Sequence, residues 1–554
     1  MTTVSPPRMR RRVMAASAAT LSLALALTAG AAAEAAKPAE KWTTADLNDA
    51  TVASLGAALE AGELTSVELA GLYVERIEAM NSSGPGLNAV RTLSPDWKKQ
   101  AQEADKRRAH GETGPLLGIP VLIKDNTDVE GLPTTAGSLI LADSYPSQDA
   151  PAVEGLREAG AVILGKTNLL EFSGKISGLA ANGYSSLGGK TLDPYDVSID
   201  YVGSSTGSAS ATAAGLAAAT VGTDTGGSLM YPALQSSLVT IRPTRGLVSR
   251  TGVVPLSLGR DAVGPMTRTV TDTATMLTAL VTGPDDGDAA TAGTEDYAGF
   301  DYAGALSATS LEGARIGIPT GALEASGYFD GMTADETALW QEGIAELERQ
   351  GATIVDVSDE TIPVMFMDSL VSNPAGAWVS ERAMNAYFDR LPGDAPIQSY
   401  KEMAAAVAET PEMTRYATPT FTFVDDDADI AELEQQNAAY EVENAAVNLT
   451  PIEDARDTYD LDAMLFPGVT SDYVSGGGGL PTVEFPIGYT ASDHNPYGMA
   501  LLGVEPYSEA QILSYAYDYE QATQHWESPF EVNPTLFYCV DEVGDSTADE
   551  YCAP

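Results

Sequence analysis

Short apolar runs alternate along this chain with stretches in which apolar residues recur every three or four positions. "IPVLI" (119–123), "AVILG" (161–165), "ARIGIP" (314–319), "ATIVDV" (352–357), "AMLFP" (463–467) and "GMALLG" (498–503) are runs of the first kind. Several follow a helical stretch that ends in glycine, the pattern of buried strands. "TSVELAGLYVERIEAMN" opens on a Thr65-x-x-Glu68 capping box and repeats Leu69, Leu72, Tyr73, Ile77 and Met80, which predicts an amphipathic helix. "TADETALWQEGIAELERQGATIVDV" predicts a helix capped at Thr333, stopped at Gly351 and followed by a strand. The alternation predicts an α/β protein with a large, twisted, mixed central sheet covered by helices on both faces. Between about 363 and 460 the pattern loosens around an acidic "VDDDADIAELE", as expected of a variable helical insertion over the sheet. From Tyr201 to Ala233 the chain is almost all Gly, Ser, Thr and Ala, and "TGSASATAAGLAAATVG" within it predicts a buried helix of small residues.

The first 36 residues form a separate object. "RMRRR" (Arg8 to Arg12) precedes an uncharged run from Val13 to Ala33 and then small-residue cleavage choices around Ala31 to Ala36. This predicts a secretory signal over 1–36, a linker over 37–45 and an exported mature chain, with no stable membrane partner once the signal is cleaved. Charge changes the picture further. The chain has 30 Lys+Arg against 78 Asp+Glu, a net of −48, and cleavage after Ala36 takes it to −51 because four arginines and Glu34 leave. Nucleic acid and anionic membranes are poor partners for such a surface. The two cysteines, Cys539 and Cys552, lie in an acidic tail over 530–554, and in an exported chain they are expected to close one disulfide.

Candidate chemistry begins from a shortage. The three histidines, His110, His494 and His525, sit in "KRRAHGETG", "SDHNPYG" and "EQATQHWESP", without a motif around any of them. No pair of His or Cys has metal-ligand spacing, and "GTDTGGS" matches neither phosphate-binding glycine pattern. Serine chemistry with a base other than histidine remains, and a lysine kept neutral by burial can serve as that base. Lys124 ends the apolar run "GIPVLI", where desolvation would lower its pKa. As a lone feature, a strand-end lysine also fits snorkelling to solvent or pairing with Asp125. "DTGGS" offers the backbone N–H groups of Thr225, Gly226 and Gly227, just ahead of Ser228, to a developing oxyanion.

Six stretches in order, "GPLLGIPVLIKDN" (114–126), "PTTAGS" (133–138), "LGKTNLLEF" (164–172), "GSSTGSASATAAGLAAATVGTDTGGS" (203–228), "RPTRGLVSRTG" (242–252) and "GPMTRTVTD" (264–272), resemble the amidase signature family. The likeness continues through "GLPTVEFPIGY" and "YGMALLGVEPYSEAQILSYAYDYEQAT", so the expected catalytic domain covers 46–529. The resemblance implies the amidase signature fold, with Ser228 as nucleophile and Ser204, after a cis peptide bond, as relay. It further implies Lys124 as base, Ser173 and Ser204 as substrate contacts, and Ser205 as the lesser candidate for relay. It implies hydrolysis of a small-molecule or peptide amide through an acyl-Ser228 intermediate, without a metal or other cofactor. Two rivals share the motifs: a catalytically silent binding protein and the glutamine-dependent tRNA amidotransferase A-type subunit. The sequence departs from the family pattern at Met230, where arginine is usual, and at "VGSSTG" in place of "GGSSGG".

Overall fold

In a computed structural model the protein is described over residues 41–533, apart from 176–181, 359–360, 365–372, 414–420 and 426. The expected signal over 1–36 and the expected Cys539–Cys552 bridge lie outside the described residues.

Eleven strands form one sheet: β1 (Val90–Leu93), β2 (Pro120–Lys124), β3 (Val162–Thr167), β4 (Ala219–Asp224), β5 (Val239–Arg242), β6 (Ala262–Thr267), β7 (Arg315–Ile318), β8 (Thr353–Asp356), β9 (Ala463–Pro467), β10 (Thr482–Tyr489) and β11 (Pro496–Gly503). Their spatial order is β1-β3-β2-β4-β6-β5-β10-β11-β9-β7-β8. β3, β2 and β4 run parallel, as do β9, β7 and β8. The strands between these two groups pair antiparallel, so the sheet is mixed. All six runs read as buried strands are strands, but β8 is not buried: it lies at the edge of the sheet with Thr353 and Asp356 exposed, because no strand among the described residues covers its outer side.

The helices form where their caps predict. α1 (Ser66–Met80) begins at Thr65, whose side chain accepts from Glu68 N, while Glu68 accepts from the Thr65 backbone. Its core face is Leu69, Ala70, Tyr73, Ile77 and Met80.

The small-residue stretch differs from its reading as one helix. α2 (Thr206–Ala213) is helical and wholly buried, but the chain turns at Gly215 and continues as β4. The strand begins where the alanines give way to the β-branched Thr220, Val221 and Thr223, and it fills the slot between β2 and β6, where both neighbours complete its hydrogen bonds. α3 (Met230–Gln235) follows, and Met230 is fully buried in the main apolar core.

Further helices are α4 (Ala334–Arg349), α5 (Gly376–Phe388), α6 (Tyr400–Glu409), α7 (Ile430–Asn448), α8 (Thr450–Tyr459), α9 (Asp472–Gly478) and α10 (Glu509–Thr523). α5 and α6 build a second apolar cluster around Met384, Tyr387, Phe388 and Met403. It packs on Ala136, Leu141, Phe172 and Val254 from the loops beside the candidate site.

Candidate active site

Lys124 and Asp224 end the parallel neighbours β2 and β4, so both open at the carboxyl edge of the sheet, where α/β folds build their sites. Lys124 is fully buried. Its Nζ lies 2.7 Å from Ser204 Oγ, 2.8 Å from Ser205 Oγ and 2.8 Å from Thr223 Oγ1. Burial pushes its pKa from an ordinary 10.5 down to about 7, with the carboxylates of Asp224 and Asp261 opposing the shift. The three close oxygens suit a neutral amine, which donates to two of them and accepts a hydroxyl proton from the third.

A second buried lysine shows the alternative. Lys166 is equally buried but pairs with Asp125 at 3.0 Å. Asp125 follows Lys124 in sequence, yet it accepts from Thr135 and Lys166 and makes no ion pair with its neighbour. Of the two amines, Lys124 has only hydroxyls and a carbonyl within hydrogen-bonding reach among the described residues.

The serines are distinguished by their partners. Ser205 Oγ donates to Thr223 O at 3.1 Å and accepts from Thr223 N at 3.3 Å as well as from Lys124, which uses its hydrogen-bonding capacity. Ser204, which follows a cis peptide bond after Gly203, has Lys124 as its one side-chain partner among the described residues. Ser204 O accepts from Leu170 N and Ser228 O accepts from Ser205 N, so backbone bonds bring all three segments together. Ser228 is 8% exposed. Ser173, on the adjoining loop at φ 53°, has a buried hydroxyl with no partner among the described residues.

Asp224 shapes the turn that leads to Ser228. Its Oδ2 accepts from Leu229 N at 2.7 Å and its Oδ1 from Gly227 N at 3.2 Å, while Arg242 donates to Oδ1 at 2.7 Å from a fully buried guanidinium. Gly227 adopts φ +87°, a conformation open to glycine at little cost. The amides of Thr225, Gly226 and Ser228 find no acceptor among the described residues. Gly227, one of the three amides read as oxyanion donors, is therefore shared with Asp224. Arg242→Met leaves Asp224 charged, buried and short of its partner. It should cost about 3–5 kcal/mol of stability, visible as a lower denaturation midpoint.

The histidines lie elsewhere. His110 and His494 are exposed, and His525 stands beside Tyr519, its pKa lowered by burial. Among the described residues no three His, Cys, Asp or Glu side chains converge as metal ligands. The roles of Ser205 and Thr223 around the amine, and the Asp125–Lys166 pair, escape a reading of the sequence. These are common residue types without a spacing signal, brought together by strand pairing.

Comparison with known proteins fits this geometry. The sequence profile of the Amidase family matches residues 68–471. A probable amidase of Arabidopsis thaliana is 34% identical over 515 residues, covering 91% of this chain and 95% of the relative. The A-type subunit of glutamyl-tRNA(Gln) amidotransferase from Geobacter sp. (strain M21) is 33% identical, over 86% of this chain and 98% of its own. The native peptide amidase of Stenotrophomonas maltophilia superposes with a TM-score of 0.77 at 33% identity, over 87% of this chain and 98% of that one. The fold and the family profile together define an amide-hydrolysing enzyme. The chain belongs to the amidase signature family, whose members act on C–N bonds.

Proposed function

We propose that the chain is an exported serine amidase that cleaves a small or peptide amide with Lys124, Ser204 and Ser228. The observation that carries this reading is Lys124 Nζ, fully buried, without a carboxylate in hydrogen-bonding contact among the described residues and 2.7 Å from Ser204 Oγ. Neutral Lys124 takes a proton from Ser204, and Ser204 takes one from Ser228 as Ser228 Oγ attacks the amide carbon. The amides of Thr225 and Gly226, with Gly227 shared, stabilise the oxyanion. The proton returns through Ser204 to the leaving nitrogen as the C–N bond breaks. Water then releases the acid from acyl-Ser228 along the same route. Ser204 is the relay because Ser205 is already saturated. Ser173 meets the substrate with its unpartnered hydroxyl.

The peptide amidase named above supports a peptide or amino-acid carboxamide as substrate, with ammonia as second product. The likeness to an amidotransferase component is comparable in identity, but a net charge of −48 is ill suited to a tRNA-dependent assembly. The test is ammonia release from a panel of peptide amides by the purified mature chain, together with labelling by a fluorophosphonate. Labelling at Ser228 with loss of turnover is expected; turnover that survives full labelling rejects the assignment.

Export is testable separately. Expressed in a bacterial host, the protein should accumulate outside the cytoplasm with a new N-terminus between Ala31 and Lys37. Thiol titration of that unreduced, denatured chain should find no free thiol; two free thiols reject the tail bridge.

A further inference from the structure

Arg260 has no part in the proton transfers above, yet it reaches the turn that carries Ser228. Its Nε donates to Thr225 O at 3.1 Å. That carbonyl belongs to the same peptide group as the Gly226 N–H, one of the amides without an acceptor among the described residues. A cationic donor on the oxygen of a peptide draws density from its nitrogen and strengthens the N–H as a donor. The neighbouring residue holds the same unit from its side chain: Thr225 Oγ1 donates to Asp261 Oδ1 at 2.5 Å, and Asp261 accepts from the Leu256 and Ser257 amides.

Arg260 makes no ion pair among the described residues, and its own carbonyl accepts from Arg242. α9 covers it twice, through Tyr473, whose ring centroid lies 5.6 Å from the guanidinium, and through Gly476. A Cβ at Gly476 would fall 2.8 Å from Arg260 Nη2 and 3.0 Å from Thr225 O. Part of the "SGGGG" run at 475–479, to which the sequence alone assigns no role, is thus the space into which this guanidinium and the turn fit.

We infer that Arg260 is a positioning residue for the oxyanion: through the Thr225 carbonyl it aims and strengthens the Gly226 N–H. This rests on the reading of Ser228 as nucleophile. Because the oxyanion exists only in the tetrahedral state, losing Arg260 lowers kcat and spares substrate binding.

The experiment compares Arg260→Met, Arg260→Lys and Gly476→Ala with the parent in the mature protein, on one peptide amide. Two inhibitors accompany it: a peptide aldehyde, which forms a tetrahedral oxyanion with the serine, and the matching peptide alcohol, which cannot. Arg260→Met should lower kcat roughly 10- to 100-fold with KM within about twofold. The aldehyde should weaken by a similar factor and the alcohol should not. Arg260→Lys should recover part of the loss, and Gly476→Ala, which crowds the same contact, should reproduce it. If Arg260→Met does not fold, the other two variants carry the comparison. A kcat within about threefold of the parent, or equal weakening of aldehyde and alcohol, overturns the inference. Ser228→Ala run alongside separates the cases: if it retains turnover the nucleophile is misassigned, whereas if it is dead beside a fully active Arg260→Met, only the role of Arg260 fails.

Discussion

Ser228→Ala should abolish amide hydrolysis in a protein that still folds, and Lys124→Met should lower kcat by about 10³-fold or more. Ser228 is mostly buried on a turn fixed by Asp224, so removing one hydroxyl leaves its scaffold in place. Methionine at 124 fills nearly the volume of the lysine and removes the only amine within reach of Ser204 among the described residues. Replacing His110, His494 and His525 together should leave most of the activity, because two are exposed and none hydrogen-bonds to Lys124, Ser204 or Ser228 among the described residues. A folded but inactive triple-histidine variant contradicts the assignment, and so does a Lys124→Met enzyme with kcat within about tenfold of the parent.

Activity and stability should respond to pH in opposite directions. In the proposed mechanism the base works as neutral lysine, so kcat/KM should rise as pH passes through about 7 and level off above it. The fold follows its buried carboxyls. Burial raises Asp128 and Asp272 to about 6 and Asp472 and Glu520 to about 7. Across roughly pH 4 to 7 the folded chain therefore keeps protons that the unfolded chain gives up, and stability falls as pH rises through that window. Asp285 and Asp288, whose pKa values are lowered, act the other way and cost stability only in stronger acid. Above about 7 the folded chain holds Lys124 neutral while the unfolded chain keeps it protonated, a contribution that adds stability as pH rises further. Thermal midpoints should thus be highest near pH 4 to 5, where turnover is slow. A midpoint that climbs steadily from pH 5 to 7.5, or a kcat/KM maximum near pH 4, contradicts this account.

Six strands are legible as short apolar runs, β7 and β8 among them although they hold Arg, Gly, Thr or Asp, because a glycine at 313 or 351 marks their start. β6 contains Gly264 and Pro265, β10 contains Pro486, and β1 and β5 are four residues long with Thr and Arg inside them and no glycine just ahead of them, so none presents a run to read. β4 is hidden by alanine, and its pairing partners lie far along the chain. Lys124, Ser204 and Ser228 are legible through motifs, and the structure brings their segments to one edge of the sheet. What surrounds them is not. Asp125 looks like a partner for Lys124 because it is adjacent, but successive residues of an extended chain point to opposite faces, and the carboxylate meets Lys166 on the neighbouring strand. The Arg260 contact joins segments 35 residues apart in sequence and depends on a third, around Gly476, so no local pattern announces it.

The burial of Lys124 also bears on how the enzyme can be attached to a support. An amine that is neutral near pH 7 is the first to react with an acylating or aldehyde-bearing matrix when that matrix can reach it. Here solvent does not touch it. Lys98, Lys99 and Lys106 are exposed on the helix Trp97–Ala109, and Lys41 and Lys401 are exposed elsewhere. Coupling through surface amines therefore falls on these side chains and leaves the enzyme's most reactive amine unmodified.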